Sequence, residues 1–287
     1  MLIVSAQETF SMPCALLLGG FDGLHRGHGA LLARTRGTGL PVGITTILGG
    51  KAGGELFTRD ERRQIFAQEG IAFALEYDFS ERFRNTSPED FLNDLFRRAN
   101  VQAVLCGEDF RFGKDAAGDA RLIGALAPCP VTVLPLAEAG GEKIATSRIK
   151  RMVAEGDMAG ANSLLLRPYF LAGCVEHGRH VGGPVLGFPT LNLTVPPQKA
   201  PPCEGVYAGR VFTPVGEFPS VINFGPRPTF GVTERKTEAY LDGFSGDLYG
   251  AQVCVFPERF LRPVMKFESA QALRAQLERD KEALHVP

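Results

Sequence analysis

An apolar run, Ala15-Leu16-Leu17-Leu18, breaks into Gly19-Gly20-Phe21-Asp22-Gly23-Leu24-His25-Arg26-Gly27-His28 and resumes in Ala30-Leu31-Leu32-Ala33, which reads as helix. A strand that stops at glycines and turns into a helix constrains the fold more than any other stretch of this chain. Open α/β sheets use this arrangement to present a helix N-terminus, with its free N–H groups and positive dipole end, to a phosphate. Gly27, between two imidazoles, allows close backbone approach. His25 and His28 can donate to oxygens whose charge grows in a transition state. Histidines three apart are also compatible with a structural pair or half of a zinc site. The spacing suggests no third ligand, so phosphate chemistry is the preferred reading.

A chain of 287 residues is long enough for two domains. The first half alternates short apolar runs (near 14–21, 40–48, 71–79, 101–107 and 129–135) with amphipathic stretches. Thr58-Arg59-Asp60-Glu61 predicts a capping box opening a helix through Gln68. Ser87-Pro88-Glu89-Asp90 puts proline at the first position of a helix running to about Ala99. Strands separated by helices imply a parallel sheet. Further helices are expected near 146–155 and 158–165. Beyond Arg167-Pro168 the character changes, and short alternating segments with glycines and prolines predict a small antiparallel barrel to about Phe267. Ser269 caps a closing helix with Leu273 and Leu277 on one face. The expected domains are 1–165 and 166–287, an α/β unit followed by a β-barrel.

The net charge of −1 and the lack of a long basic run argue against bulk nucleic-acid binding. No apolar stretch is long enough to span a bilayer, and the N-terminus lacks the basic start of a secretory signal. Six scattered cysteines without a Cys-x-x-Cys pair read as reduced thiols of a cytoplasmic protein.

Other motifs carry weaker signals. Gly107-Glu108-Asp109-Phe110-Arg111-Phe112-Gly113 follows an apolar strand, where parallel sheets bind ligands, or it is a turn with tucked aromatics. Thr146-Ser147-Arg148 opens a helix and suits a polyphosphate, although a plain N-cap is the simpler reading. In Gly187-Phe188-Pro189-Thr190-Leu191-Asn192 the hydroxyl and amide point the same way on an extended segment. They could hold Mg²⁺ or a phosphate, or simply enter a strand. Asn223-Phe224-Gly225-Pro226-Arg227-Pro228-Thr229-Phe230 is too stiff for an ordinary loop. Alternation places Glu238, Tyr240 and Asp242 on one face, with Glu238 a general base at a barrel mouth or a surface partner of Lys236.

Taken in order, these blocks resemble the bacterial bifunctional riboflavin kinase/FMN adenylyltransferases, or FAD synthetases, over nearly the whole chain. The N-terminal blocks are 20–28, 107–113 and 146–150. The C-terminal ones are Leu186–Asn192, Gly205-Val206-Tyr207-Ala208, Asn223–Phe230, Asp247–Gly250 and Phe260–Phe267. The resemblance implies a Rossmann-like nucleotidyltransferase domain and a riboflavin kinase barrel. Riboflavin, FMN and ATP are the implied substrates, FMN and FAD the product ligands, and Mg²⁺ the cofactor. His25 and His28 would steady the triphosphate, with Gly20, Phe21, Asp22, Gly27, Gly107, Asp109, Arg111, Thr146, Ser147 and Arg148 around the nucleotide. In the barrel Glu238 would be the base. Thr190 and Asn192 would hold the metal, Gly187 and Pro189 the nucleotide, and Gly205, Val206, Tyr207, Asn223 and Arg227 the flavin.

The chain departs from the family pattern in places. Ile47-Leu48-Gly49-Gly50-Lys51 stands where the family tends to carry Phe-x-Pro-His-Pro, and Gly20 stands where Asn is usual. A riboflavin kinase with weak or lost adenylyl transfer and a non-catalytic flavin-binding regulator are the alternatives. Self-association is left open.

Overall fold

A computed structural model describes residues 1–4, 8–50, 53–176, 190–227 and 232–285. The chain divides into two compact units, Met1–Arg148 with Leu164–Arg167, and Ile149–Ser163 with Pro168–Pro287.

The N-terminal unit holds strands β1 (Leu2–Val4), β2 (Phe10–Leu18), β3 (Val42–Leu48), β4 (Phe73–Asp78) and β5 (Ala99–Gly107). A ribbon of β6 (Arg111–Phe112) and β7 (Gly118–Asp119), strand β8 (Val131–Leu134), and a ribbon of β9 (Glu138–Ala139) and β10 (Glu142–Lys143) follow. Its helices are α1 (Arg26–Arg36), α2 (Arg59–Gln68), α3 (Glu81–Arg84), α4 (Pro88–Arg98) and α5 (Ala120–Leu126). Helix α6 (Thr146–Glu155) contains the dividing line, and α7 (Met158–Leu164) follows it.

Six strands form a sheet in the order β1-β4-β3-β2-β5-β8, every pair parallel. Leu16, Leu18, Phe73, Leu75, Leu95 and Val104 are among the buried side chains of its core. The local helix signals operate as read. Glu61 N donates to the Thr58 hydroxyl while Thr58 N donates to Glu61 Oε2 at 2.8 Å, closing the capping box of α2. Asp90 N donates to Ser87 Oγ at 3.0 Å ahead of Pro88. Strand β1, helices α3 and α5 and both ribbons are additions to the sequence reading. Each is too short to show a period.

The C-terminal unit is built on β11 (Leu171–Cys174), β12 (Thr190–Leu193), β13 (Gly205–Thr213), β14 (Gly216–Arg227), β15 (Val232–Leu241) and β16 (Gln252–Arg262). They pair antiparallel in the order β11-β16-β13-β14-β15-β12. The two ends of that sheet meet where Glu176 N donates to the Asn192 carbonyl at 2.9 Å, so the sheet closes on itself. Leu191, Ala239, Ile222 and Tyr207 lie side by side on four strands, all buried, and mark the face turned to the barrel interior.

Helix α8 (Ala270–Glu282) starts at Ser269, whose hydroxyl accepts from Ala272 N at 3.1 Å. Two ionic clasps hold it to the barrel. Asp280, buried, takes Arg262 through both oxygens, with Nη2 at 2.6 Å and Nε at 3.0 Å. Asp242 takes Lys281 Nζ and His285 Nε2, each at 3.1 Å. Burial alone would raise the Asp242 carboxyl, but Lys281, Tyr240 and His285 hold it below the ordinary carboxylate range. Asp280→Ala leaves the half-buried Arg262 cation without its carboxylate and is expected to lower stability by about 3 kcal/mol. Urea unfolding followed by circular dichroism measures this, and an unchanged midpoint would count against the clasp.

Candidate active sites

Helix α1 (Arg26–Arg36) is capped by His25 at the end of a tightly wound glycine turn. Gly23 sits at φ +99°, a conformation in which a side chain is strained, and a Cβ there would come 2.7 Å from the Phe57 ring. Phe21, also at positive φ, buries its ring beside Gly19 and 4.6 Å from the His28 ring. The chain enters the helix with His25 as N-cap. His28 N donates to His25 Nδ1 at 3.3 Å, and His25 N lies 3.4 Å from His28 Nδ1, a capping box made by two histidines. The rings stack with centroids 3.6 Å apart.

This arrangement fixes a protonation state. His25 Nδ1 is an acceptor, so its proton sits on Nε2. Burial pushes its pKa down to about 4, outweighing the opposing pull of Asp109, and the ring is a neutral Nε2–H donor at physiological pH. His28 Nδ1 also lies 3.2 Å from the Gly23 carbonyl, to which it donates in the other tautomer. The first N–H groups of α1 have no intrahelical acceptor and point out of the same end.

The loop after β5 reaches this place. The Asp109 carboxylate pairs with Lys143 on β10, and the charges of both act on His25. A Cβ on Gly27 would stand 3.3 Å from Ala137 Cβ, so the approach to β9 is close. Arg148 holds the ribbon. Its Nη1 donates to the carbonyls of Ala139 and Glu142, each at 2.9 Å, and Nε pairs with Glu142 Oε2 at 3.2 Å. Thr146 is half-buried and Ser147 exposed at the start of α6. Asp22 is buried and pairs with Arg62 at 2.9 Å beneath the turn. The Gly20 carbonyl accepts from Ile47 N at 3.3 Å, which ties the turn to β3. Beyond the ends of β2, β3 and β4 lies a cavity of about 350 Å³, lined mainly by Tyr77, Phe79, Phe83, Phe91, Phe110 and Phe112, with Arg84 and Arg111 also on its wall.

In the barrel, Asn192 on β12 pairs in register with Glu238 on β15, Glu238 with Asn223 on β14, and Asn223 with Val206 on β13. Residues directly opposite in an antiparallel sheet share a face. This row alternates with the interior one, so it faces away from the barrel core. Thr190 lies two residues from Asn192 on that same face, opposite Tyr240. Asn192 is buried and Glu238 half-buried, with Glu238 Oε1 fully removed from solvent. Gly205 packs against Phe260 and the Arg262 carbonyl. Tyr207 does not join the row. Its ring packs edge-on against Phe224 and Phe260, and its hydroxyl donates to the Cys203 carbonyl at 2.7 Å. Gly187 and Pro189 lie outside the described residues, and of Arg227 the backbone alone, on β14, is described.

Residues 7–148 match the FAD synthetase family model and residues 165–286 the riboflavin kinase model. The bifunctional riboflavin kinase/FMN adenylyltransferase of Escherichia coli (strain K12) is 32% identical over 286 residues, covering 93% of this chain and 90% of that protein. The chain belongs to this bifunctional family. The Pseudomonas fluorescens relative is 31% identical over 283 residues, with the same coverage. A solved structure of a macrolide-efflux protein from Streptococcus pneumoniae is similar with a TM-score of 0.84 at 26% identity, covering 97% of this chain and 99% of that one. Among the described residues of this chain no helix is long and apolar enough to cross a membrane.

The chain is therefore an enzyme of flavin cofactor biosynthesis with riboflavin kinase and FMN adenylyltransferase domains. The described residues Gly49 and Gly50, in the stretch where the resemblance leads one to expect Phe-x-Pro-His-Pro, are anchored. Gly49 N donates to the buried Glu55 Oε1 at 2.6 Å, and the Phe79 ring packs on Gly50. Lys143 and the aromatic cavity escaped the sequence reading. Lys143 is separated by 34 residues from its partner Asp109, and the cavity's rings come from four separate segments.

The depressed pKa of His25 has a pH consequence. Between about 4 and its ordinary 6.5 the unfolded chain binds a proton that the folded chain does not. This contribution is fully present above pH 6.5 and is lost as pH falls toward 4, at a cost on the order of 3 kcal/mol. Urea midpoints measured from pH 7.5 to 4.5 should fall, and His25→Asn, which keeps a capping side chain, should flatten the fall. An identical pH dependence in the variant would contradict a neutral buried His25.

Proposed function

We propose that the two reactions run at two separate sites, one at the start of α1 and one on the outer row of the barrel. In the first, the phosphate of FMN attacks the α-phosphorus of ATP, a new P–O bond forms, and pyrophosphate leaves with the electrons of the broken bond. FMN phosphate is already an anion, so positioning and charge neutralisation carry the rate without a strong base. His25 donates through Nε2–H to the triphosphate, with His28 and the free N–H groups of α1 beside it. Lys143 adds a cation once its pairing with Asp109 loosens. Thr146 and Ser147 contribute hydroxyls, and Arg148 acts by holding the ribbon that bears Lys143. The aromatic cavity suits a flat ring system and takes the isoalloxazine.

In the second reaction Glu238 removes the proton of the ribityl hydroxyl of riboflavin as its oxygen bonds to the γ-phosphorus, and ADP departs. Val206 and Asn223 lie on the same row and contact the flavin. Thr190 and Asn192 offer neutral oxygen donors beside the Glu238 carboxylate, a hard-oxygen set that fits Mg²⁺. Among the described residues no group of three His, Cys, Asp or Glu side chains could hold a metal alone. Nucleotide phosphates and water would complete its shell. Bound there, Mg²⁺ would neutralise charge on the transferring phosphoryl group.

The observation that carries this reading is segregation: the histidine-capped helix start and the Asn192–Glu238–Asn223 row belong to different compact units. His28→Ala is expected to lower FAD formation by roughly a hundredfold or more and to leave FMN formation intact. Glu238→Ala is expected to do the reverse. Equal losses of both activities in either variant would overturn the assignment.

A further inference from the structure

Arg62, on α2, belongs to no motif assigned above. Its side chain is 1% exposed. A guanidinium carries five N–H donors in a rigid planar fork, and here each has an acceptor. Nε donates to the Phe57 carbonyl at 2.9 Å. Nη1 donates to the Ile47 carbonyl at 2.7 Å and the Thr46 hydroxyl at 3.2 Å. Nη2 pairs with Asp22 Oδ1 at 2.9 Å and Glu55 Oε1 at 2.8 Å. The acceptors come from three stretches of chain: the glycine turn, the end of β3, and residues 55–57 leading into α2.

Both carboxylates extend the grip to backbone. Glu55 Oε1 also accepts from Gly49 N at 2.6 Å, and Asp22 Oδ1 from Phe57 N at 3.2 Å. The segments so joined border the aromatic cavity, whose wall includes Gly19, Thr45 and Ile47. The assembly therefore joins the turn that leads to His25 to Ile47 on the wall of the cavity.

We propose that Arg62, with Glu55, is a positioning residue for adenylyl transfer: it fixes the glycine turn relative to the end of β3, and so one reactant relative to the other. It touches neither reactant. The proposal rests on adenylyl transfer taking place in the N-terminal unit. The physical reason is geometric. Two bound reactants react fast only when their atoms are held close and in line, and a misplacement of about 1 Å costs roughly a hundredfold. Lysine keeps the charge but has three donors on a flexible stem. It cannot serve five acceptors spread around a plane.

The test uses the full chain with Arg62→Lys and Glu55→Gln, assayed at 10 °C with circular dichroism verifying the folded state. Riboflavin phosphorylation by the same samples serves as the internal control. R62K is expected to lower kcat for FAD formation roughly thirtyfold and to raise KM for FMN several-fold, with the kinase rate within about twofold of the parent. A purely structural Arg62 would leave folded R62K within twofold of the parent in FAD formation, and that result overturns the proposal. If R62K does not fold, E55Q decides. It keeps the shape of the side chain while removing its charge, and an expected loss of roughly fivefold supports the proposal, whereas an unchanged rate overturns it. A parent chain that forms FMN but no FAD would overturn the adenylyl-transfer reading itself, and this proposal with it.

Discussion

Strand β2 decides where the N-terminal unit gathers its candidate site residues. The chain passes from β2 to β3 and β4 on one side, then crosses to the other side of β2 to lay down β5. The sheet order reverses between β2 and β5, and the crevice beyond their carboxyl ends is where an open α/β sheet takes a ligand. Leu18, at the end of β2, pairs with Cys106 on β5, so the glycine turn and the Gly107–Asp109 loop leave the sheet side by side. Helix α1, the Asp109–Lys143 pair and the cavity converge there as consequences of strand order. The two histidines then do double duty. Each caps the other, which places one neutral N–H donor at the positive end of a helix without adding a buried cation.

The barrel builds its candidate site by a different route. No single turn creates it; cross-strand register does. Asn223 and Glu238 come from the consecutive strands β14 and β15, while Asn192 comes from β12, which lies beside β15 although β13 and β14 separate them in sequence, and a slip of one residue on any of the three would exchange this polar row for the apolar one beside it. The clasps from Asp280 and Asp242 fasten α8 next to that row, since Tyr240 and Asp242 follow Glu238 on the same face. Ionic pairs that are partly buried, such as Arg262 with Asp280, hold this geometry more firmly than exposed ones.

Features written within one turn of chain were legible before the fold. The capping box of α2, the Ser87-Pro88 start of α4 and the strand-to-helix break at Gly19 depend on neighbours within four residues. So did the alternation that put Glu238 and Tyr240 on one face. The strand opposite Glu238 was not legible, because register is a long-range choice. Arg62 was unreadable for the same reason: its partner Asp22 lies 40 residues away. Tyr207 shows the converse. Its motif suggests a ligand contact, yet its ring is enclosed between Phe224 and Phe260, because position 207 falls on the interior side of β13. Where the resemblance leads one to expect Phe-x-Pro-His-Pro, the described residues Gly49 and Gly50 are anchored from outside the segment, by Glu55 and Phe79.

The most direct measurement is chromatographic product analysis of the purified full chain, supplied first with riboflavin, ATP and Mg²⁺ and then with FMN, ATP and Mg²⁺. Two working sites predict FMN followed by FAD in the first incubation, and FAD with one equivalent of pyrophosphate in the second. Riboflavin left unphosphorylated, or FMN left unchanged in the second incubation, would contradict them.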